Sequence, residues 1–560
     1  MLRHDESIPL SPAMEPIRKK RQIPVSGIVD KRVLYLGLQA IINAFIIGLV
    51  AKGLVSLIDF ITNLAFYGKI SFTPASPAHN NLGLGVILVP IIGSVLVGII
   101  ARYGSKAIRG HGIPEAMEKI ILDESRIPPL ITLLKPLSAA ISIGTGGPFG
   151  AEGPIIATGG AFGSFTGQIM HISATERKIM LSAGACAGMA AIFGSPLAAV
   201  LLAIELLLFE FSPRSIIPVA LACVTGAGMH LWLFGNSPVF AMGAIAAPPA
   251  SALMLFVGMG LIIGVVAALI SKSVYAVEDL FEKLPIHWMW WPAIGAVAVG
   301  VTGYFAPFTM GVGYDNIQHL LTGQLPLRML LSLFLLKYIS WVISLGSGTS
   351  GGTLAPLFTI GGAFGALLGV FMLRFFPNCG ITPALAALVG MAAMFAGASR
   401  ALLTSIVFAL ETTGQSNGLL PLLTTCITAY FASFFLMKGS IMTEKIRRRG
   451  VHAPDVFEAD ILRYASVREI MIPVPEGQTA LPTISELADL SICVQSMGQL
   501  GVTAMCVLDG TDGHTVRGIV QARDILKYYS EEKAGEQLYG SPARTRRWMV
   551  RTRRAINLRK

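Results

Sequence analysis

Apolar residues run in long blocks along most of the chain, and polar residues gather towards its two ends. Blocks of bilayer-crossing length begin near Val33 and recur to about Met437, over 33–50, 82–100, 155–170, 216–233, 252–269, 329–345 and 419–437. About a dozen blocks result in all, several of them short or interrupted by Gly and Pro. The pattern predicts an all-α polytopic membrane protein with broken helices over residues 33–445. Past Arg449 the pattern changes. Residues 467–529 mix charged and apolar positions, opening with VREIM and closing with GIVQARDILKYY, a strand, turn and helix. We expect a small soluble α/β unit over 465–530, a linker over 446–464, and a polar Arg-rich tail over 531–560 that is disordered or in contact with lipid.

Composition agrees with the membrane assignment. Of 560 residues, 53% are hydrophobic and 13% charged. A soluble chain carries roughly 25% charged residues. Mean hydropathy is +0.66. The first 32 residues are basic, with Arg18, Lys19, Lys20, Arg21, Lys31 and Arg32, and no apolar segment with a cleavage site precedes them. Lys445 to Arg449 (KIRRR) follow the last apolar block. Positive residues stay on the cytoplasmic side, so both termini are expected there, in the cell's inner (plasma) membrane. The net charge of +11 sits mostly in these flanks and the tail. It reads as topology plus contact with anionic lipid, and no nucleic-acid partner is expected. The six cysteines are scattered, with no metal-type pair. No nucleophile–base pair, metal cluster or phosphate loop appears, so the chain is not read as an enzyme.

The first half repeats in the second, over about 33–235 and 250–445. Residues 144–163 read GTGGPFGAEGPIIATGGAFG, and residues 346–365 read GSGTSGGTLAPLFTIGGAFG. Nine of these twenty positions are identical at an offset of 202, without a gap. Ala190–Phe193 matches Ala392–Phe395 at the same offset, and VLLAIE (200–205) matches IVFALE (406–411) after a four-residue shift. Related halves with interrupted helices are the signature of repeat transporters, whose substrate site lies near the midplane.

Glu152 is the one carboxylate in the glycine-rich stretch 143–164. Pro154 marks a helix start, so Glu152 is expected at or just before a helix N-terminus. Pro356, after Gly351, Gly352 and Thr353, marks the same start in the second half, and GHGIP (110–114) marks a third. Unpaired N–H groups and the positive dipole end attract anions at such starts. Three of them make an anion site without a full positive charge, strong enough to enter and weak enough to leave. Glu152 is then a tethered competitor. Ionised, it occupies the anion's place; protonated or displaced, it vacates it.

At GHGIP (110–114), GAEGP (150–154) and GTLAP (352–356) the sequence resembles the CLC family of chloride channels and chloride/proton exchangers. The resemblance covers roughly residues 33–445. It implies the CLC fold of two inverted repeats and a homodimer with one anion pathway per subunit. It also implies that Glu152 is the gate, that Gly110, His111, Gly112 and Ile113 border the anion, and that main-chain amides at Gly150, Ala151, Gly153, Thr353, Leu354 and Ala355 line the route. Four positions depart from the family pattern. His111 replaces a serine, and either adds anion affinity or pH sensitivity, or turns away and leaves the ion to the neighbouring amide. Met442 stands at the place of an inner tyrosine and has no donor. Leu354 replaces a phenylalanine. Leu206 stands where many exchangers carry an inner proton-transfer glutamate. Glu205, beside it, is either on a proton path or a structural carboxylate.

The α/β unit resembles a single CBS domain. GIVQARD (518–524) keeps Asp524 of the ribose-binding pattern but has Gln521 for its hydroxyl. It either binds an adenine nucleotide or stabilises a dimer; no other cofactor is expected. These features lead to an expectation of glutamate-gated transport of chloride or another small anion, leaning towards a channel because of Leu206. Proton-coupled antiport is the alternative, and a nucleotide-sensing membrane receptor a remote one.

Overall fold

The computed structural model describes residues 31–377, 379–448, 450, 462, 465–473, 481–509 and 515–539, the last nine by backbone alone. The basic residues 18–21, Arg449, most of the 446–464 linker and the tail beyond 539 lie outside the described residues. The chain divides into a large unit and a small one, the larger ending at Phe457.

Among the described residues, sixteen α-helices precede Met437, eight in each half. The first half holds α1 (Lys31–Tyr67), α2 (Leu88–Tyr103), α3 (Ile113–Leu122), α4 (Ile131–Gly144), α5 (Glu152–Ile169), α6 (Ala174–Phe193), α7 (Pro196–Leu202) and α8 (Pro213–Leu233). The second holds α9 (Ala252–Glu282), α10 (Trp291–Phe305), α11 (Tyr314–Thr322), α12 (Leu327–Gly346), α13 (Leu354–Phe375), α14 (Pro383–Ser399), α15 (Leu402–Thr413) and α16 (Leu419–Leu436). Each helix of the first half has its counterpart eight helices later. A short α17 (Glu444–Arg448) follows. Seven helices are long and apolar enough to cross a membrane, by length and composition. Of the other helices before Met437, α5 and α6 reach 18 and 20 residues but are too polar to count, and the rest are shorter, as the interrupted blocks predict.

Glycine sets the helix packing. A Cβ at Gly159 of α5 would lie 2.2 Å from the Gly184 carbonyl oxygen of α6, and one at Gly163 2.1 Å from that of Met180. The repeat-related Gly361 and Gly365 of α13 meet the carbonyls of Gly390 and Ala386 on α14 in the same way, at 2.6 and 2.3 Å. Without a hydrophobic drive between helices in lipid, such close backbone approach is a main source of their attraction.

Polar side chains close the breaks between the helices. The Lys135 ammonium, on α4, donates to the carbonyls of Ile108 and Gly110 at 2.8 and 2.9 Å. The Lys337 ammonium, on α12, donates to those of Thr309 and Gly311 at 2.9 and 3.0 Å. Both lysines are fully buried. Each supplies donors to an irregular loop where the membrane interior offers no water.

A second pair of contacts is reciprocal. Glu205 lies in a π-helical turn, Ala203–Leu208, that prolongs α7. Its carboxylate accepts from the amides of Leu403 and Thr404, both at 2.9 Å, and from the Thr404 hydroxyl at 2.7 Å, capping α15. Glu411, on α15, accepts from the amides of Leu197 and Ala198 at 3.0 and 2.8 Å and caps α7. A carboxylate on a first-turn amide is favourable in charge as well as in hydrogen bonding. The exchange is that of a local two-fold axis.

The small unit has a three-stranded sheet in the order β1 (Thr483–Ser485), β2 (Ala504–Leu508), β3 (Val516–Gln521). β1 and β2 are parallel, joined through α19 (Leu490–Leu500), which follows a short α18 (Val467–Ile470). β2 and β3 are antiparallel, and α20 (Ala522–Tyr539) follows them. The element order is the β–α–β–β–α of a small α/β unit. Its core includes Val467, Leu490, Cys493, Val507 and Val520.

Replacing Glu205 or Glu411 by Ala strips a charged cap from one helix start. Each should lower stability by about 1–2 kcal/mol, seen as an earlier thermal unfolding midpoint in detergent. A midpoint that moves for one variant and not the other would contradict the reciprocal arrangement.

Candidate anion site

The three glycine-rich segments converge backbone to backbone. Gly352 donates to the Gly150 carbonyl at 3.1 Å, and Gly110 to that of Thr349 at 3.1 Å. These pairs form two isolated bridges, Gly150 with Gly352 and Gly110 with Ser350. Gly112 has φ of 99° and is the cap of α3, and a Cβ there would meet the Gly153 carbonyl oxygen at 2.2 Å. Gly153 in turn lies against the His111 carbonyl and the Gly352 Cα. Any larger residue at these points would drive the helix starts apart. Pro114, Pro154 and Pro356 stand at the second or third position of α3, α5 and α13, where their missing N–H is no loss.

Glu152 is the first residue of α5 and is fully buried. Its side chain crosses to the second half. Oε1 accepts from the Ala355 amide at 2.5 Å, in the first turn of α13. Oε2 accepts from the Tyr314 hydroxyl at 3.1 Å. A carboxylate thus sits on a helix N-terminus, where four N–H groups lack intrahelical partners. Aromatic rings wall this region. Phe193 and Phe240 each meet the Tyr314 ring edge-on at 5.8 Å between centroids, and Phe408 packs on Phe193.

The residues expected to line the route fall into two groups. Gly110, Gly112, Ile113, Gly150, Ala151, Gly153, Thr353, Leu354 and Ala355 are all buried where the three helix starts meet. His111 is 6% exposed, and its Nδ1 has no hydrogen-bond partner. It borders a cleft of about 500 Å³ whose walls carry Lys106, Arg109, Glu115, Glu278 and Lys445. Within this cleft, Glu115 accepts from the Gly112 amide at 2.6 Å and steadies the start of α3. Met442 is fully buried in the turn before α17, its amide donating to the Ser440 hydroxyl at 3.2 Å. The hydroxyl of Tyr275, on α9, donates to the adjacent Ile441 carbonyl at 2.6 Å.

Two candidates stand apart from this cluster. Both carboxylate oxygens of Glu205 are engaged in the cap on α15. Leu206 is buried and apolar, 3% exposed. Asp524 belongs to the small unit, at the start of α20, where its Oδ2 has no hydrogen-bond partner.

Tyr314, Lys337 and Glu115 were not singled out from the sequence. A signal for the first two exists. GVGYD (311–315) repeats the glycine spacing of GHGIP (110–114) at an offset of 201, and Lys337 lies 202 residues after Lys135. Tyr314 therefore takes the place of Ile113 in the second half.

Comparison with known proteins agrees with this architecture. A family model described as voltage gated chloride channel matches residues 92–433. An H(+)/Cl(-) exchange transporter ClcA of Yersinia pestis bv. Antiqua (strain Angola) is 30% identical over 366 residues, covering 63% of this chain and 75% of the relative. The ClcA of Salmonella paratyphi B (strain ATCC BAA-1250 / SPB7) is 27% identical over 452 residues, covering 78% and 93%. Among solved structures, a slow cyanobacterial Cl-/H+ antiporter superposes with a TM-score of 0.66 at 24% identity, over 74% of this chain and 97% of that one. A CLC-type fluoride/proton antiporter gives 0.60 at 23%, over 74% and 98%. The inverted-repeat membrane fold, the helix starts and the matched length lead to one conclusion: this chain is a multi-pass membrane transport protein that belongs to the voltage-gated chloride channel (CLC) family.

Proposed function

We propose that the protein exchanges chloride for protons, with Glu152 as the group that both gates the anion and carries the proton. The observation that carries this is the Glu152 carboxylate resting on the Ala355 amide at 2.5 Å. A carboxylate and a chloride ion compete for the same helix start. Ionised, Glu152 holds the place. Protonated, it is neutral, loses its attraction to the dipole end and leaves the amides to the anion. Alternation of the two occupants couples a proton to an anion. The relatives named as H(+)/Cl(-) exchange transporters favour this cycle over the passive channel first suggested by Leu206.

Leu206 carries no proton-bearing group, so the inward proton of such a cycle travels through other groups. A passive channel is the second reading, and Leu206 is the observation that favours it. We also propose that the protein is a homodimer in an inner membrane with both termini cytoplasmic. The small unit acts there as a CBS-like module, and Asp524 takes the ribose of an adenine nucleotide.

Purified protein in sealed liposomes, given a chloride gradient and no pH gradient, should drive protons uphill. Chloride flux without proton movement would replace exchange by a passive channel. Glu152→Gln should abolish proton movement and leave chloride flux independent of pH. In the wild type, flux should rise as pH falls, because protonation empties the site.

Nucleotide binding is checked separately. Calorimetry with ATP should show binding to the full chain, weakened at least tenfold by Asp524→Ala; absence of heat in the wild type would leave the module a structural one.

A further inference from the structure

We propose that Tyr314 is a latch for the gate: its hydroxyl holds the Glu152 carboxylate in the anion's place, so that the phenol sets how readily the glutamate gives way. The proposal rests on the gating role of Glu152. The two oxygens of that carboxylate have different partners. Oε1 lies on the Ala355 amide, which an anion would also use. Oε2 is held by the Tyr314 hydroxyl at 3.1 Å. Hydrogen bonds to charged acceptors are stronger than neutral ones, and more so away from water.

The phenol is fixed before it meets the carboxylate. Gly313, at φ of 77°, is the cap from which α11 starts. The preceding loop is clamped by the Lys337 ammonium on the carbonyls of Thr309 and Gly311. Asn316 adds a bond from its Nδ2 to the Phe308 carbonyl at 2.7 Å. Phe193 and Phe240 hold the ring edge-on. Little rotamer freedom is left to lose when the hydroxyl engages Oε2, so most of the interaction favours the seated carboxylate.

The internal repeat supplies a control. The first half has the same glycine pair, Gly110 and Gly112, and the same lysine clamp, Lys135 on Ile108 and Gly110. At the position of Tyr314 it has Ile113. Loop, clamp and helix start therefore form without a hydroxyl. The phenol is present only in the second half, and it meets Glu152, the first-half carboxylate that rests on the start of α13.

Among the described residues, the titratable or charged groups facing Glu152 are Tyr314 on α11 and, farther off, Lys337 on α12. The His111 main chain borders the adjacent Gly153, while Phe193 on α6, Phe408 on α15 and Phe240 contribute no charge. Lys337 is engaged with two carbonyls and is present in every variant below, so a change on altering Tyr314 reports the phenol alone.

The test measures chloride efflux from liposomes as a function of pH for the wild type, Tyr314→Phe, Glu152→Gln and the double variant. Tyr314→Phe keeps the ring and its packing. Losing one bond to a charged acceptor should speed efflux at neutral pH by about tenfold and move the pH of half-activation upward by about one unit. The shift is upward because the ionised seated form loses a donor and binds a proton more readily. In the Glu152→Gln background the same substitution should leave efflux unchanged, since no carboxylate remains to be latched. Tyr314→Ile, which installs the residue of the first half, should behave as Tyr314→Phe does and serves if the phenylalanine variant misfolds. Wild-type efflux from Tyr314→Phe, beside an altered Glu152→Gln, overturns the latch and leaves the gate standing. An equal effect of Tyr314→Phe in the Glu152→Gln background also overturns it, by placing the phenol's action on the anion. Wild-type behaviour from Glu152→Gln removes the gate and the latch together.

Discussion

Inside a bilayer, every backbone amide and carbonyl that a helix does not satisfy needs a partner from the protein itself. The rest of this structure follows from that requirement. Its helices are interrupted within the membrane-spanning unit, and each break leaves backbone groups that a helix does not satisfy. Lys135 and Lys337 satisfy carbonyls at two breaks. Glu205 and Glu411 satisfy amides at two others. One helix start, that of α13, is satisfied by the Glu152 side chain, which comes from the other half. Among the described residues, Glu152 rests there without a salt bridge, on one amide and one phenol. A carboxylate on an otherwise unmet backbone donor is the arrangement on which the proposed anion site rests.

The two halves use the same devices, so their differences stand out. Equivalent glycines bring equivalent helices into backbone contact, and equivalent lysines hold equivalent loops. Where the halves differ, the residues meet one another. Glu152 of the first half corresponds to Leu354 of the second, and Tyr314 of the second to Ile113 of the first. The two halves supply similar sets of helix starts, and at these two positions the carboxylate of the first half meets the phenol of the second. Symmetry accounts for the fold, and its local loss sets the Glu152–Tyr314 contact on which the proposed gate rests.

The cluster separates the roles of its neighbouring acids. Glu205 is part of the reciprocal caps, with both oxygens bonded to the start of α15, so it holds the halves together. Glu115 tightens the start of α3 through the Gly112 amide. Glu152 alone is placed where an anion and a carboxylate would contend for the same amide. Three carboxylates at helix starts thus have different surroundings, decided by what else each oxygen touches.

Much of this was legible in the chain before any coordinates. Apolar block length gave the membrane class, the 202-residue offset gave the two halves, and proline and glycine placed the three helix starts to within a residue or two. These are local properties, set by backbone chemistry and by the thickness of a bilayer. The partners of the acids were not legible. The sequence leaves Glu205 as a structural carboxylate or part of a proton path, and it does not show that Thr404, 199 residues away, lies beside it. Tyr314 lies 162 residues from Glu152, and its loop repeats only the glycines of GHGIP, so the signal was too short to find. The sequence by itself determined where helices start and that a carboxylate stands at one of them. Only the tertiary structure decided which amide and which hydroxyl that carboxylate meets, because both come from the other half, and only packing across the two-fold axis brings them within reach.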